Sequence, residues 1–210
     1  HLINVTADPD FKINGPNPIA VGATDKAAKL IVETGADLGI VYDADGDRAV
    51  FLDSAGRKLP SYLMTAIMAE ELAEEGQIVV DELVYQSLLQ SKLLPPGRLR
   101  PSRVGAFNIK ELMRVEEADL AAELSGHYYF KDFFYADSAL LATIKVLNVL
   151  SRQPDLLTKH RQLLATAELQ EVNFKLKEKI DWAKLSPLLK AKAERQGVTK
   201  ISERDGLTLN

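Results

Sequence analysis

The sequence predicts a layered α/β fold. Short apolar runs of strand length alternate with amphipathic stretches of about 10 to 15 residues, and Gly or Pro punctuates many of the junctions. With 210 residues, 46% of them hydrophobic and 27% charged, the chain is long enough to bury a substantial core.

Residues 1–22 are loop-rich, with Pro9, Gly15, Pro16, Pro18 and Gly22 as punctuation. Thr24 is placed to cap a helix over 25–34, in which Ala27, Ala28, Leu30 and Ile31 follow the helical period and which Gly35 ends. The apolar runs 38–42 and 49–53 suit buried strands, the second followed by the turn Ser54-Ala55-Gly56. After Pro60 the pattern predicts a helix to about Glu75, then a strand over 77–81, a helix over 82–93 and a break at Leu94-Pro95-Pro96-Gly97. A strand near 100–104, a helix over 108–117, an apolar stretch at 120–124 and a short strand at 127–130 follow. A long helix over 137–151 carries Leu140, Leu141, Ile144, Leu147 and Val149. Pro154 marks a boundary. The more charged segment beyond it predicts a helix at 155–165, a strand at 170–176, a helix at 181–195 and a hairpin over 199–209 around Asp205-Gly206.

Bulk properties exclude several function classes. A net charge of -4 gives no basic face for nucleic acid. The absence of cysteine excludes disulfides, thiolate metal sites and a cysteine nucleophile, and it fits a cytoplasmic protein. No apolar run approaches the roughly 18 to 20 residues of a membrane span, and His1-Leu2-Ile3-Asn4-Val5 lacks the regions of a signal peptide. There is no initiator Met, and Leu207-Thr208-Leu209-Asn210 reads like a strand cut short, so both ends are expected to be internal to a longer chain. Nothing in the sequence sets the oligomeric state.

Two constellations carry the chemistry. Asp43, Asp45 and Asp47 are spaced by two after an apolar strand, and in near-extended backbone that spacing sends all three carboxylates to one side. Gly46 lets the chain turn around a small ion, and three clustered carboxylates need a cation. Oxygen-only ligation suits Mg²⁺, and Arg48 adds a forked donor for phosphate or carboxylate. A solvated acidic turn is the plain alternative; a calcium EF-hand is not, because Ser54 stands where its closing Glu belongs. The second constellation is Glu123-Leu124-Ser125-Gly126-His127. A carboxylate and a hydroxyl can bracket vicinal sugar hydroxyls, Gly126 permits close approach, and His127 can carry a proton near neutral pH. A Ser-Gly turn and a lone His also occur in purely structural roles.

The run from Gly39 through Asp43-Ala44-Asp45-Gly46-Asp47-Arg48 resembles the metal loop of the α-D-phosphohexomutases, the phosphomannomutase/phosphoglucomutase family in its bacterial form. That loop usually reads Asp-Gly-Asp-Gly-Asp-Arg, so Ala44 is a departure. Asp8-Pro9-Asp10-Phe11 and Gly15-Pro16-Asn17-Pro18 resemble the segment leading into it. Glu123 to His127 is similar to the family's sugar loop, Glu-x-Ser-Gly-His, and its continuation through Tyr128-Tyr129-Phe130-Lys131-Asp132-Phe133 and Ala136-Asp137-Ser138 also matches, its aromatics read as packing. Arg103-Val104-Gly105 matches a third segment, but Ala106 stands where relatives carry His, and 79–86 lacks a Lys that some place near the sugar. Glu171-Val172-Asn173-Phe174-Lys175 and Asp205-Gly206-Leu207 resemble the opening of the last domain. The phosphoserine segment, Thr-x-Ser-His-Asn-Pro, and the phosphate clamp, Arg-x-Ser-Asn-Thr-Glu-Pro, are absent from the sequence.

The resemblance implies layered α/β sandwich domains with mixed sheets, followed by the start of a separate α+β domain. Residues 1–56 would be the C-terminal part of the metal-binding domain, 57–153 the sugar-binding domain, and 154–210 a linker and the start of the phosphate-binding domain. It implies interconversion of hexose 1- and 6-phosphates, of mannose or glucose, through a phosphoserine and a bisphosphorylated sugar, with Mg²⁺ as cofactor. Asp43, Asp45 and Asp47 would bind the metal, Arg48 and His127 would serve catalysis, and Glu123, Ser125 and Arg103 would bind substrate. The two loops are expected to act as separate constellations, and this chain alone is expected to be inactive. A haloacid-dehalogenase-type phosphatase, with Asp43 as nucleophile and Asp45 as acid/base, is one alternative reading. A non-catalytic sugar-phosphate-binding relative of the mutases is the other.

Overall fold

The computed structural model of the chain describes residues 1–6, 8–11, 15–161 and 179–209. Its centre is a five-stranded sheet of β4 (Ile78–Asp81), β5 (Leu99–Ser102), β6 (Leu120–Ala122), β7 (Tyr128–Phe130) and β8 (Ala136–Asp137), in the order β5-β4-β6-β7-β8. β4 runs parallel to β5 and β6, whereas β6, β7 and β8 are antiparallel, so the sheet is mixed.

Alternation along each strand explains why the sequence reads as unbroken apolar runs. Ile78, Val80, Leu120, Ala122, Tyr128 and Phe130 face one core, which α2 (Ser61–Ala69), α3 (Glu82–Ser91) and α5 (Ala139–Arg152) cover. Val79, Ala121 and Tyr129 face the other, filled by Ile109 and Met113 of α4 (Ala106–Val115). With helices on both faces, every strand position of β4, β6 and β7 is buried.

A smaller antiparallel sheet joins β1 (Leu38–Tyr42), β2 (Ala49–Asp53) and β3 (Lys58–Leu59), and α1 (Asp25–Thr34) packs on β1. This sheet shares the large core: Ala49, Phe51 and Leu59 belong to it, and the Phe51 ring meets Tyr128 edge-on at 6.2 Å. Farther along are α6 (Leu156–Arg161), α7 (Trp182–Arg195) and a hairpin of β9 (Ile201–Ser202) with β10 (Thr208–Leu209).

Some element boundaries differ from the sequence expectation. Thr24 stands at the start of α1 but makes no side-chain cap; its backbone is already near-helical, and only its carbonyl bonds into the helix, at Ala28. The helix after Pro60 stops at Ala69 rather than near Glu75. Glu70, Glu71, Glu74 and Glu75 follow, and four carboxylates at a helix C-terminus oppose its dipole, so the chain proceeds through i to i+3 turns. The helix expected over 137–151 begins at Ala139, capped by the Ser138 hydroxyl on the Leu141 N–H at 3.2 Å. Of the helix expected at 155–165, residues 162–165 lie outside the described residues, as does the whole strand expected at 170–176. No helix among the described residues is long and apolar enough to cross a membrane.

The topology also sets where a site can form. β4, β5 and β6 all end at the same edge of the large sheet, with Asp81 level with Ser102 and Val80 level with Ala122. Glu123 is the next residue of the chain after β6. Loops at the carboxyl edge of parallel strands are the usual place for ligand chemistry in α/β sheets.

Candidate functional site

The acidic loop closes the hairpin between β1 and β2. The spacing argument from extended backbone does not hold here: the carboxylates converge through a tight turn built around Asp43. Its Oδ1 accepts the N–H groups of Gly46, Asp47 and Arg48 at 3.0, 3.1 and 3.1 Å. Gly46 takes the left-handed φ of 77° that the turn needs. Asp43, Asp45 and Asp47 each place a carboxylate oxygen within 4.8 Å of the others. Arg48 donates from Nε to Asp43 Oδ2 at 2.7 Å and from a terminal nitrogen to Asn17 Oδ1 at 3.3 Å.

The electrostatics of this turn suit a divalent cation. Burial works to raise the Asp43 carboxyl, but hydrogen bonds from Asp47 and Arg48 outweigh it and hold the group at about 2. Asp47 moves the other way: burial, then the hydrogen bond to Asp43, raise it above the ordinary carboxylate range. Two close carboxylates divide in this way when a shared proton does the work of a cation. Asp47 Oδ1 is buried and makes no hydrogen bond, with Arg48 Nε 3.8 Å away, an oxygen that a metal ion could take. The donor set therefore fits Mg²⁺, with Asp43, Asp45 and Asp47 as the residues to hold it.

The second loop closes the hairpin between β6 and β7. Glu123 N–H bonds the His127 carbonyl at 3.0 Å, and Gly126 N–H bonds the Glu123 carbonyl at 3.1 Å. Glu123 is buried; its Oε1 accepts the Gly105 N–H at 2.8 Å and its Oε2 the Tyr129 hydroxyl at 2.7 Å. Ser125 Oγ lies 2.8 Å from His127 Nδ1, and His127 Nε2 lies 3.2 Å from Asp47 Oδ2. The ring can donate at Nε2 to Asp47 and accept the Ser125 proton at Nδ1, which also lies 3.4 Å from Glu123 Oε2.

The expectation of two separate constellations is thereby corrected. Arg48 and His127 form an antiparallel bridge, and Ala49 N–H bonds the Gly126 carbonyl at 3.0 Å. Gly126 sits at φ 91°, and a Cβ on it would lie 2.9 Å from the Ala49 carbonyl oxygen. Only glycine lets the two backbones approach this closely. The loops meet because β2 and the β6–β7 turn zip together, a long-range pairing that spacing within either motif does not encode.

Of the residues singled out in the sequence, Asp43, Asp45, Asp47, Arg48, Glu123, Ser125 and His127 come together in this way. Arg103 does not join them: it is exposed and donates from Nε to the Arg204 carbonyl in the β9–β10 hairpin at 3.1 Å. Its neighbours tie the same hairpin to the 123–127 loop, since Val104 N–H bonds Asp205 Oδ2 at 3.0 Å and Gly105 N–H bonds Glu123. Other participants were not singled out. Asp137 offers an oxygen within 4.8 Å of those of Asp47 and His127, Lys110 pairs with Asp137 at 2.9 Å, and Tyr129 bonds Glu123. Strand alternation puts Tyr129 on the face opposite Tyr128, the one signal by which it might have been separated from its aromatic neighbours.

Comparison with known proteins agrees along the chain. The family model described as phosphoglucomutase/phosphomannomutase, alpha/beta/alpha domain II, matches residues 1–56, and the model for alpha/beta/alpha domain III matches residues 60–167. A phosphomannomutase of Methanocaldococcus jannaschii is 28% identical over 215 residues, covering 99% of this chain and 46% of that protein. A phosphomannomutase of Salmonella typhimurium is 33% identical over 147 residues, covering 69% of this chain and 32% of that protein. The fold is similar to that of a phosphoglucomutase/phosphomannomutase family protein from Burkholderia thailandensis, with a TM-score of 0.74 at 24% identity over 97% of this chain and 44% of the other. The chain thus spans less than half the length of the curated relatives it matches.

Proposed function

The chain belongs to the phosphoglucomutase/phosphomannomutase family, and from that premise we propose that it supplies the metal and sugar loops of a hexose-phosphate mutase within a longer protein. The reaction would interconvert hexose 1-phosphate and hexose 6-phosphate, of mannose or glucose, through a phosphoserine and a bisphosphorylated sugar. Residues 1–56 would then be part of the metal domain, 57–153 the sugar domain, and 154–210 a linker and the start of a phosphate-binding domain.

The observation that best supports this reading is the His127–Asp47 contact, which sets the carboxylate cluster one imidazole away from Ser125 and Glu123. A transferring phosphoryl group and a sugar hydroxyl must meet within such a distance. Bound at Asp43, Asp45 and Asp47, Mg²⁺ would neutralise and polarise the phosphoryl oxygens. Arg48 holds the turn through Asp43 and presents the rest of its guanidinium toward Asn17. Glu123 and Ser125 would take sugar hydroxyls, which makes recognition independent of which end of the sugar carries phosphate. His127, between Ser125 and Asp47, is placed to take a proton from a hydroxyl, with Asp47 holding its ring in orientation.

The phosphatase alternative requires Asp43 to attack as a nucleophile. Its carboxylate already accepts three N–H groups and the Arg48 guanidinium, which favours an organising role instead.

A coupled assay of the full-length protein with mannose 1-phosphate and glucose 1-phosphate tests the reading. Turnover in Mg²⁺ is expected, with Asp45→Ala lowering kcat about a hundredfold or more and the 210-residue chain alone inactive. Wild-type rates in Asp45→Ala would remove the acidic loop from the reaction. Free phosphate as the main product would favour the phosphatase, and no turnover at all the non-catalytic relative.

A further inference from the structure

Tyr129 is fully buried, and its ring packs with Ile109 and Met113 of α4, where a phenylalanine would serve the packing as well. What distinguishes it is the hydroxyl, which donates to Glu123 Oε2 at 2.7 Å. Burial, and then the hydrogen bond to Glu123, push that hydroxyl far above its usual range, so it remains a donor at any working pH. The Gly105 N–H, from the loop before α4, donates to the other oxygen at 2.8 Å. Two donors from separate elements therefore fix the orientation of the carboxylate.

A carboxylate has two lone-pair positions on each oxygen. Tyr129 and Gly105 fill one on each, and His127 Nδ1 lies 3.4 Å from Oε2, so the second position on Oε1 is the one left to a ligand hydroxyl. The phenol is itself held in place. The His127 imidazole stacks on its ring with centroids 6.1 Å apart and planes 29° from parallel. The Lys110 ammonium lies 5.4 Å from the ring centroid while paired with Asp137.

We propose that Tyr129 is a positioning residue: it acts through Glu123, aiming that carboxylate at the hydroxyls of a hexose phosphate, and does not touch the sugar. The role in substrate recognition rests on the mutase reading; the orientation of Glu123 does not. Tyr129→Phe keeps the ring, its stacking and its packing, and removes only the donor. In the full-length protein it is expected to raise KM for hexose 1-phosphate about tenfold while changing kcat less than about twofold, the size of one lost hydrogen bond to a charged group. Added to Glu123→Ala, which removes the acceptor altogether, it should cost nothing further, because both changes act on the same bond.

Amide exchange by NMR on the 210-residue chain gives a readout that needs no activity. The Gly105 N–H is expected to exchange faster in Tyr129→Phe, while Ile109 and Met113 in α4 keep their protection. A packing role would move α4 or nothing. Unchanged KM together with unchanged Gly105 exchange would overturn the proposal, and so would additive losses in the double variant. Faster Gly105 exchange in a protein that turns over no hexose phosphate would uphold the positioning of Glu123 and sink the mutase reading instead.

Discussion

Asp43 and Asp47 ionise in opposite senses, and the sign of each has a consequence. Asp43 is held at about 2, below its unfolded value, so it stabilises the fold at neutral pH and that contribution is lost as pH falls toward about 2. Asp47 is raised, so its proton must leave before a cation can bind. Mg²⁺ affinity is accordingly expected to climb as pH passes through the raised range of Asp47 and to level once the group is ionised, with proton release on binding below that point. Titration calorimetry from about pH 4 to about pH 7, in buffers of different ionisation heat, checks this. Constant affinity with no buffer dependence would mean that Asp47 does not exchange a proton for the metal. At this scale the sequence names the participants better than their geometry. Three acids and an arginine after an apolar strand are legible as a candidate site, but the turn around Asp43 depends on its acceptance of three backbone N–H groups, which no spacing rule contains. Tyr129 is less legible still, because its value lies in a partner six residues away across a β-turn.

Among the elements, the junction of β4 and α3 ties fold to site. Asp81 ends the strand and caps the helix by accepting the Val84 N–H at 2.8 Å, while its second oxygen accepts the Leu124 N–H at 2.5 Å. One buried side chain thus starts a helix and anchors the 123–127 loop. Asp81→Ala should lose the cap and leave the Leu124 N–H unsatisfied, about 2 to 4 kcal/mol together. Asp81→Asn, which keeps an acceptor, should lose less. Urea unfolding of both variants measures the difference; equal stability of Asp81→Ala and the wild type would refute the double role. The strand and helix at this junction are legible because apolar run and cap adjoin in sequence. The length of α2 is not, since the periodic signal continues past Ala69 while the helix dipole, set against Glu70, Glu71, Glu74 and Glu75, opposes further helix.

Over the whole molecule, layered α/β architecture follows from alternation, but the order β5-β4-β6-β7-β8 does not, because neighbours are chosen by crossovers rather than by local pattern. The same holds for the C-terminal hairpin, legible as a hairpin but not as to where it docks. Arg204 pairs there with the buried Glu82 and lies over the Tyr85 ring at 5.9 Å, beside the Asp205 bond to Val104. Arg204→Ala should leave Glu82 with Gln86 as its side-chain partner among the described residues, at a cost of about 2 kcal/mol, less than for a fully buried pair because Arg204 is partly exposed. Faster amide exchange at Val104 and along 201–209 is the expected sign; unchanged protection would show that other contacts hold the hairpin. The close approach of Gly126 to Ala49 bears on how such a protein can be rebuilt. Any residue larger than glycine at position 126 would strike the carbonyl of Ala49 before any ligand is present, so a segment grafted over 123–127 must keep that glycine. The acidic loop and the 123–127 loop are therefore not independent modules in this scaffold. They must be exchanged as one cassette, with residues 47–49 travelling alongside 123–127.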